Sequence, residues 1–253
     1  MCRFLKGSSK IQTTPMQRFL FPHVPGPTFT TDDEALVHQL TRVLRSKPGD
    51  RVVLFSESGG GEYEISSIEK KRLSFVRVRE IEASGEPKTK IALFQALPNK
   101  YEKLEYAIQK GVEVGISDFV FFPSERSQKL VITEGKIERF ESIAREAVEQ
   151  CYGFRMPTLK FERSFPKFPD GAVSMFLHTD SDSTKSLSEF VSSLPKEPCR
   201  LALFVGPEGG FSPAETEKAL SGGAVPVKAG ERILRTETAG PVMAFALLRM
   251  LGE

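Results

Sequence analysis

Residues 201–212 read LALFVGPEGGFS, an apolar run that leads into a glycine-rich turn. The run 201–205 has the length of a β-strand and no polar residue, which is typical of a parallel strand covered on both faces. A helix is predicted next, because a cap, a proline and a capping-box glutamate follow at Ser212, Pro213 and Glu215. The glycine turn, residues 206–210, is therefore predicted at the carboxyl end of a strand, where open parallel sheets bind ligands. An ordinary tight turn is the alternative.

A second loop, residues 231–240, reads ERILRTETAG. Neither loop carries a phosphate-binding motif: no G-x-G-x-x-G follows a strand, and G-x-x-x-x-G-K-[ST] occurs nowhere in the sequence. Glu208 lies inside the glycine turn, and a carboxylate there disfavours a phosphate group. The two loops thus favour a ligand with a positive centre.

The composition is that of an ordinary globular protein, with 40% hydrophobic and 27% charged residues among 253. This length suffices for one large domain or two smaller ones. With a formal net charge of only +2, any nucleic-acid surface must be made by clustered basic residues. The N-terminus lacks an apolar signal segment, and no stretch approaches the ~20 apolar residues of a membrane span. We therefore expect a cytoplasmic protein without membrane contact.

Neither a disulfide framework nor a metal site is predicted. The cysteines are odd in number and far apart in sequence, at Cys2, Cys151 and Cys199. The histidines lack the spacing of metal ligands, at His23, His38 and His178. Buried or incidental thiols and packed or surface imidazoles are the expected roles.

The hydrophobic period changes near residue 88. Between residues 16 and 88, short strands near 51–56, 62–68 and 74–81, with a hairpin turn at 59–61, predict a small barrel. From residue 89, apolar strands alternate with amphipathic helices, which predicts an α/β domain with a mainly parallel sheet and helices on both faces. Residues 1–15 are polar and without periodicity, so we expect a disordered extension or an upstream start.

Seven segments in order carry a family resemblance. They are MQRFLFP from Met16, VLRSKPGD from Val43, ALPNKYEKLEYAIQKGVEVGI from Ala96, PSERS from Pro123, REAVEQC from Arg145, GPEGGFSPAE from Gly206 and ILRTETA from Ile233. The chain resembles the RsmE family of SPOUT-class methyltransferases, which modify N3 of a uridine in the 16S ribosomal RNA of the small subunit. It departs from the family pattern at residues 99–101, which read NKY, and at Gly111 and Val112.

The resemblance implies an architecture and a cofactor. It implies a PUA-like β-barrel over residues 16–88 for RNA binding, then a SPOUT methyltransferase domain over 89–253 with a C-terminal trefoil knot. It also implies a homodimer, because family members complete each site with residues of the partner. The methyl donor would be S-adenosylmethionine, held by Leu177, Gly206, Pro207, Gly210, Ile233, Leu234, Thr236 and Thr238. Thr238 could instead be the N-cap of the last helix.

Three residues are candidates for catalysis. Arg235 could stabilise negative charge that develops on the uracil carbonyl oxygens, and a structural salt bridge is its alternative role. Glu208 could accept the N3 proton, orient a ligand amine or stabilise its turn. Arg126 resembles part of the family's active-site rim, as do Arg145, Glu149 and Gln150, although Arg145 and Glu149 could form a plain intrahelical pair.

Basic residues of the N-terminal region form two candidate RNA-binding clusters. The first contains Arg18, Arg42, Arg45 and Lys47, and the second contains Lys70, Lys71 and Arg72. Such clusters usually lie on a solvated face of the protein. The resemblance favours contact with ribosomal RNA, with Arg145 as a further contact. Two other functions remain open: a non-catalytic ribosome assembly factor with a degenerate cofactor site, and a small-molecule enzyme that binds nucleotides.

Overall fold

The computed structural model describes residues 16–179 and 184–253, so the extension expected over residues 1–15 lies outside the described residues. The chain separates into two compact units between Glu82 and Ala83. Each unit has its own sheet.

The first unit contains a five-stranded sheet in the order β1-β3-β4-β5-β2. Its strands are β1 (Arg18–Leu20), β2 (Thr28–Thr31), β3 (Arg51–Ser56), β4 (Gly59–Glu69) and β5 (Arg72–Ile81), and helix α1 (Glu34–His38) runs into a π-helical turn (Gln39–Val43). β1 pairs with β3 in parallel, and the other pairings are antiparallel. Leu40 and Tyr63 are fully buried in the core of this unit.

The hairpin turn predicted at residues 59–61 is misplaced. These glycines begin β4 and pair with the end of β3, and the turn lies at residues 57 and 58. A Cβ atom at Gly60 would lie 2.8 Å from the Cβ of Phe55. Bare backbone therefore serves close packing between two strands here rather than a reversal of the chain.

The second unit contains a seven-stranded sheet in the order β10-β12-β9-β11-β6-β7-β8, and every pairing among the described strands is parallel. The strands are β6 (Lys90–Ala96), β7 (Asp118–Phe122), β8 (Thr158–Phe161), β9 (Val173–Leu177), β10 (Lys185–Ser186), β11 (Arg200–Val205) and β12 (Val225–Lys228). The helices are α2 (Tyr101–Glu113), α3 (Glu134–Cys151), α4 (Leu187–Ser192), α5 (Pro213–Ser221) and α6 (Thr236–Met250). The predicted α/β class with a mainly parallel sheet is confirmed.

Strand β11 lies in the middle of this sheet, between β6 and β9, and residues 201–205 are buried as predicted. Because neighbouring strands are parallel, the carboxyl ends of β9, β11 and β12 meet at one edge. In the sheet, β7 and β8 lie on one side of β6, and β9, β11 and β12 lie on the other side. The order in which the chain adds strands to the sheet therefore reverses next to β6. Such reversal points are where α/β sheets bind ligands.

Helix α6 approaches the sheet closely at Gly240. A Cβ atom at that position would lie 2.7 Å from Cδ2 of Leu93 on β6, so only glycine fits without displacing the leucine. The helix begins at Thr236, with Arg235 at the N-cap position. The alternative role of Thr238 as the N-cap is therefore wrong.

Gly111, one of the departures from the family pattern, tests the packing of α2 on the sheet. A Cβ atom there would lie 2.6 Å from the ring of the fully buried Phe119. We expect Gly111→Ala to lower the melting temperature, because overpacking costs about 1–3 kcal/mol and exceeds the helix-propensity gain of about 1 kcal/mol. The matched control is Gly135→Ala in α3, where the added methyl meets open space and should not destabilise. Equal stabilisation of both variants in calorimetry would contradict this packing.

Candidate functional site

A cleft of about 640 Å³ lies at the carboxyl edge of β9, β11 and β12. Its walls are the glycine turn (residues 206–210) and the arginine loop, which we define as residues 229–235 between β12 and α6. The volume falls within the ~300–1,000 Å³ of typical small-molecule sites. The two loops that the sequence singles out therefore form one site.

The glycine turn is closed by its own backbone. The N–H of Gly210 donates to the carbonyl of Pro207 at 2.9 Å. Gly210 has φ +67°, a left-handed conformation that glycine adopts without strain, and a Cβ atom there would stand in open space. Since Gly210 lines the cleft, its missing side chain leaves room for a ligand beside the backbone.

A buried relay joins the glycine turn to the beginning of α6. The side-chain amide of Gln95, on β6, donates to Oγ1 of Thr236 at 2.8 Å, and this hydroxyl donates to the carbonyl of Gly206 at 2.6 Å. Both side chains are buried, so the hydrogen bonds are protected from water. The relay fixes the distance between the two walls of the cleft.

Glu208 forms a second connection, on the outer side of the turn. Its Oε1 accepts from the backbone N–H of Asn99 at 3.1 Å and from the Lys103 ammonium at 2.7 Å. Partial burial raises the pKa of Glu208, but the hydrogen bonds from Lys103 and Asn99 outweigh burial and hold the pKa below its ordinary value. The carboxylate is thus stabilised in its charged form and is a weak proton acceptor. Of the three roles left open for Glu208, stabilisation of the turn fits this geometry best.

The segment PSERS supports the turn from a third side. Arg126 donates to the carbonyl of Gly209 at 3.0 Å. The buried carboxylate of Glu215, on α5, accepts from Ser124 Oγ and from the backbone N–H of Glu125, each at 2.9 Å. Arg126 therefore lies at the back of the glycine turn and is absent from the cleft lining.

Arg235 extends from the arginine loop at the edge of the cleft, and its side chain is exposed. Among the described residues it forms no ion pair and no side-chain hydrogen bond, so the structural salt bridge considered as its alternative role finds no partner there.

Seven of the eight proposed cofactor residues line the cleft, namely Leu177, Gly206, Pro207, Gly210, Ile233, Leu234 and Thr236. Thr238 does not, because it lies in the first turn of α6 with its N–H donating to the carbonyl of Arg235. Ile233 is 83% exposed beside the bare backbone of the turn. A cleft lined by apolar side chains and by bare glycine backbone suits a flat heterocycle such as adenine, so the lining fits an adenosyl group.

Arg18 is misplaced in the first basic cluster. It is only 6% exposed, and its guanidinium lies 4.4 Å from the ring centroid of Phe55. This packing withdraws the charge from the surface, since arginine stacks well on an aromatic face. The remaining members of both clusters are exposed, at Arg42, Arg45, Lys47, Lys70, Lys71 and Arg72.

Arg145 is exposed on α3, whereas Gln150 lines a separate groove between α2 and α3. The described residues contain no group of three potential metal ligands. Over residues 16–179 and 184–253, no helix is long and apolar enough to cross a membrane.

Three supporting residues of the cleft were missed by sequence reasoning: Gln95, Lys103 and Ser124. Gln95 carried a signal, because it is a polar residue in the apolar run IALFQAL. A polar side chain in a strand buried on both faces must find a partner, here Thr236. Lys103 carried no such signal, since a lysine in the first turns of a helix is commonly solvated.

Comparisons with known protein families agree with this arrangement. A model described as an RNA methyltransferase domain matches residues 85–248, and a model described as an RNA methyltransferase PUA domain matches residues 32–76. Ribosomal RNA small subunit methyltransferase E of Bacillus subtilis is 34% identical over 233 residues, which cover 88% of this chain and 90% of that protein. The protein of the same name from Buchnera aphidicola (subsp. Acyrthosiphon pisum) is 30% identical over 226 residues, 85% of this chain and 86% of its own.

Solved structures show the same likeness. The crystal structure of ribosomal RNA small subunit methyltransferase E from Neisseria gonorrhoeae, bound to S-adenosylmethionine, superposes with a TM-score of 0.80 at 26% identity and covers 93% of this chain and 98% of that one. A Legionella pneumophila structure with the cofactor S-adenosylmethionine bound has the same TM-score at 27% identity, with 93% and 97% coverage.

Gly210→Val tests whether the glycine turn belongs to the binding site. The new side chain would project into the cleft, so we expect the affinity for S-adenosylmethionine to fall by at least about tenfold in calorimetric titration. The control is Gly223→Val: Gly223 also has a positive φ and open space around it, but it lies outside the cleft. Undiminished binding by Gly210→Val, or equal loss in both variants, would remove the turn from the site.

Proposed function

Because this chain belongs to the family of ribosomal RNA small subunit methyltransferase E, we propose that it transfers a methyl group to N3 of one uridine in 16S ribosomal RNA. It is an S-adenosylmethionine-dependent ribosomal RNA methyltransferase. The observation that carries the proposal is the cleft between the glycine turn and the arginine loop, with bare backbone and an exposed arginine side by side.

The cleft residues have separate tasks in this proposal. Bound S-adenosylmethionine supplies an electrophilic methyl group on a positively charged sulfur. Leu177 and Ile233 line the cleft and would contact the adenine, and the backbone of the glycine turn would hold the cofactor close to the sheet edge. These contacts position the reactants, which can supply much of the rate enhancement of a two-substrate reaction. The carboxylate of Glu208 keeps the environment compatible with a cationic ligand.

Arg235 acts on the pyrimidine. Methylation forms the N3–carbon bond and breaks the carbon–sulfur bond, and the N3 proton leaves the ring. Negative charge spreads onto the carbonyl oxygens beside N3 as the proton departs, and a guanidinium next to them stabilises that charge. Because the low pKa of Glu208 makes it a weak base, the proton passes to water in this proposal.

The alternative of a non-catalytic assembly factor is less well supported. A degenerate site would tolerate loss of the residues that shape the loops. Here the glycine turn keeps its closing hydrogen bond, and three separate contacts hold it at Gly206, Glu208 and Gly209. Because the contacts that hold the cleft open are present, we favour a site that still binds ligand. The absence of phosphate-binding motifs argues against a nucleotide-dependent enzyme of another class.

RNA docking is assigned to residues 16–88 in this proposal, with the exposed Arg42, Arg45 and Lys47 as contacts to phosphates. Arg145 is a further RNA contact on the methyltransferase domain, residues 89–253. The trefoil knot of that domain stays a prediction. With ribosomal RNA as the proposed substrate, the proposal includes a location in the cytoplasm.

A homodimer completes the proposal. The solvent side of α6 presents Val242, Phe245 and Met250, which are 45, 54 and 47% exposed. Such a row of apolar side chains on one helix suits a two-fold contact with a second copy.

Phe245→Glu tests the dimer. We expect the wild-type protein to have the mass of a dimer in light scattering at micromolar concentration, and Phe245→Glu to be a monomer, because two buried carboxylates would face one another across a two-fold axis. The melting curve of the variant should stay cooperative. A wild-type monomer would contradict the proposed assembly.

Arg235→Ala tests the chemistry. We expect the single-turnover rate to fall by roughly 100-fold or more, the scale for removal of one preorganised donor, with little change in cofactor affinity. Arg235→Lys should restore the rate only partly, because a compact ammonium does not reproduce a planar two-pronged contact. Retained turnover with weakened binding of cofactor or RNA would assign Arg235 to binding. A large loss of melting temperature would favour a structural role.

A further inference from the structure

We infer that Lys103 is a positioning residue for methyl transfer, because it holds the glycine turn against the first turn of α6 from outside the cleft. The inference deepens the proposed function and rests on it. Lys103 does not line the cleft, so it acts through Glu208, which does.

The ammonium of Lys103 lies between two carboxylates from different walls. It is 2.7 Å from Oε1 of Glu208, inside the glycine turn, and 4.0 Å from Oε2 of Glu237, the second residue of α6. The three side chains are 22, 34 and 12% exposed, so water screens them only in part. One cation therefore attracts both walls of the cleft towards the same point.

Glu237 depends on this cation. Its Oε2 atom is buried and has no hydrogen-bond partner among the described residues, and Lys103 is the positive charge that faces it. A partly buried carboxylate is costly when its counter-charge is removed. Loss of Lys103 would leave Glu208 and Glu237 as two like charges that repel, and the repulsion would push the turn away from α6.

The buried relay and the ion pairs of Lys103 have different consequences for the protein. The relay from Gln95 through Thr236 to Gly206 is buried beneath the cleft and contributes to the core. Lys103 lies near the surface on α2, and the packing of this helix depends on its buried residues, among them Leu104, Ala107 and Ile108. We therefore expect loss of the Lys103 charge to alter the cleft without unfolding the domain.

The first experiment compares Lys103→Met with Lys103→Arg and with Lys110→Met. Lys110 lies on the same helix, forms a comparable ion pair with Glu113 at 2.8 Å and is not part of the cleft lining, which makes it a matched control. We expect Lys103→Met to weaken binding of S-adenosylmethionine by about tenfold, within the range measured for coupled contacts. Lys103→Arg should recover most of the affinity, and Lys110→Met should bind like the wild type. Lys103→Arg and Lys110→Met should melt close to the wild type, and Lys103→Met should still unfold in one cooperative transition.

The second experiment adds Glu208→Gln, alone and with Lys103→Met. If Lys103 acts through Glu208, the two effects should not add. The affinity of the double variant for S-adenosylmethionine should then be close to that of the single variant with the lower affinity. The inference would be overturned if the two substitutions weakened cofactor binding additively or if Lys103→Met bound the cofactor with wild-type affinity. It would also be overturned if the loss of affinity followed the loss of melting temperature across the variants. A wild-type protein that neither binds the cofactor nor methylates RNA would instead overturn the proposed function.

Discussion

The hydrogen bond from Thr236 to the carbonyl of Gly206 joins the two loops on which the cleft depends. It links the end of β11 to the start of α6 across 30 residues of chain, and Gln95 on β6 holds it in place from below. Because the side chains of Gln95 and Thr236 are buried, breaking the relay would leave polar atoms buried without partners, at a cost of about 1–3 kcal/mol. The position of α6, with Gly240 against Leu93, brings Thr236 within reach of this carbonyl.

Support of the glycine turn from several sides explains how such a short segment can serve as a binding surface. Gly206 is held by the relay, Glu208 by Lys103 and Asn99, and Gly209 by Arg126. A turn fixed in this way does not have to be ordered when the ligand arrives, which reduces the entropic cost of binding. Arg235, an exposed side chain of the cleft lining, forms no ion pair or side-chain hydrogen bond among the described residues, consistent with contacts to a substrate that binds and leaves.

Much of the fold could be predicted from hydrophobic period alone. The run 201–205 reads as a strand and is one, and the apolar face of α2 is the buried one. Glycine was a weaker guide, because it serves turns and close packing alike. Residues 59–61 lie within a strand, and α3 ends on a left-handed Tyr152 rather than on the glycine that follows it. The sequence could not distinguish these uses without the neighbouring strand or helix.

The supports of the site were harder to predict than its loops. Lys103 and Glu208 lie 105 residues apart, and Gln95 and Thr236 lie 141 apart, so no local pattern couples them. Arg18 was misassigned for the related reason that its partner, the ring of Phe55, is fixed by strand pairing and not by sequence proximity. Loop motifs carry the family resemblance that implies the ligand, whereas long-range contacts determine the geometry of the cleft.

The proposed activity can be measured directly by nucleoside mass spectrometry of small-subunit ribosomal RNA after incubation with the purified protein and S-adenosylmethionine that carries a deuterated methyl group. Methylation of N3 of one uridine predicts deuterium in N3-methyluridine at a single position of the 16S RNA. Label on a ribose, on another base or on a different ring atom, or no label from a protein that binds the cofactor, would contradict it.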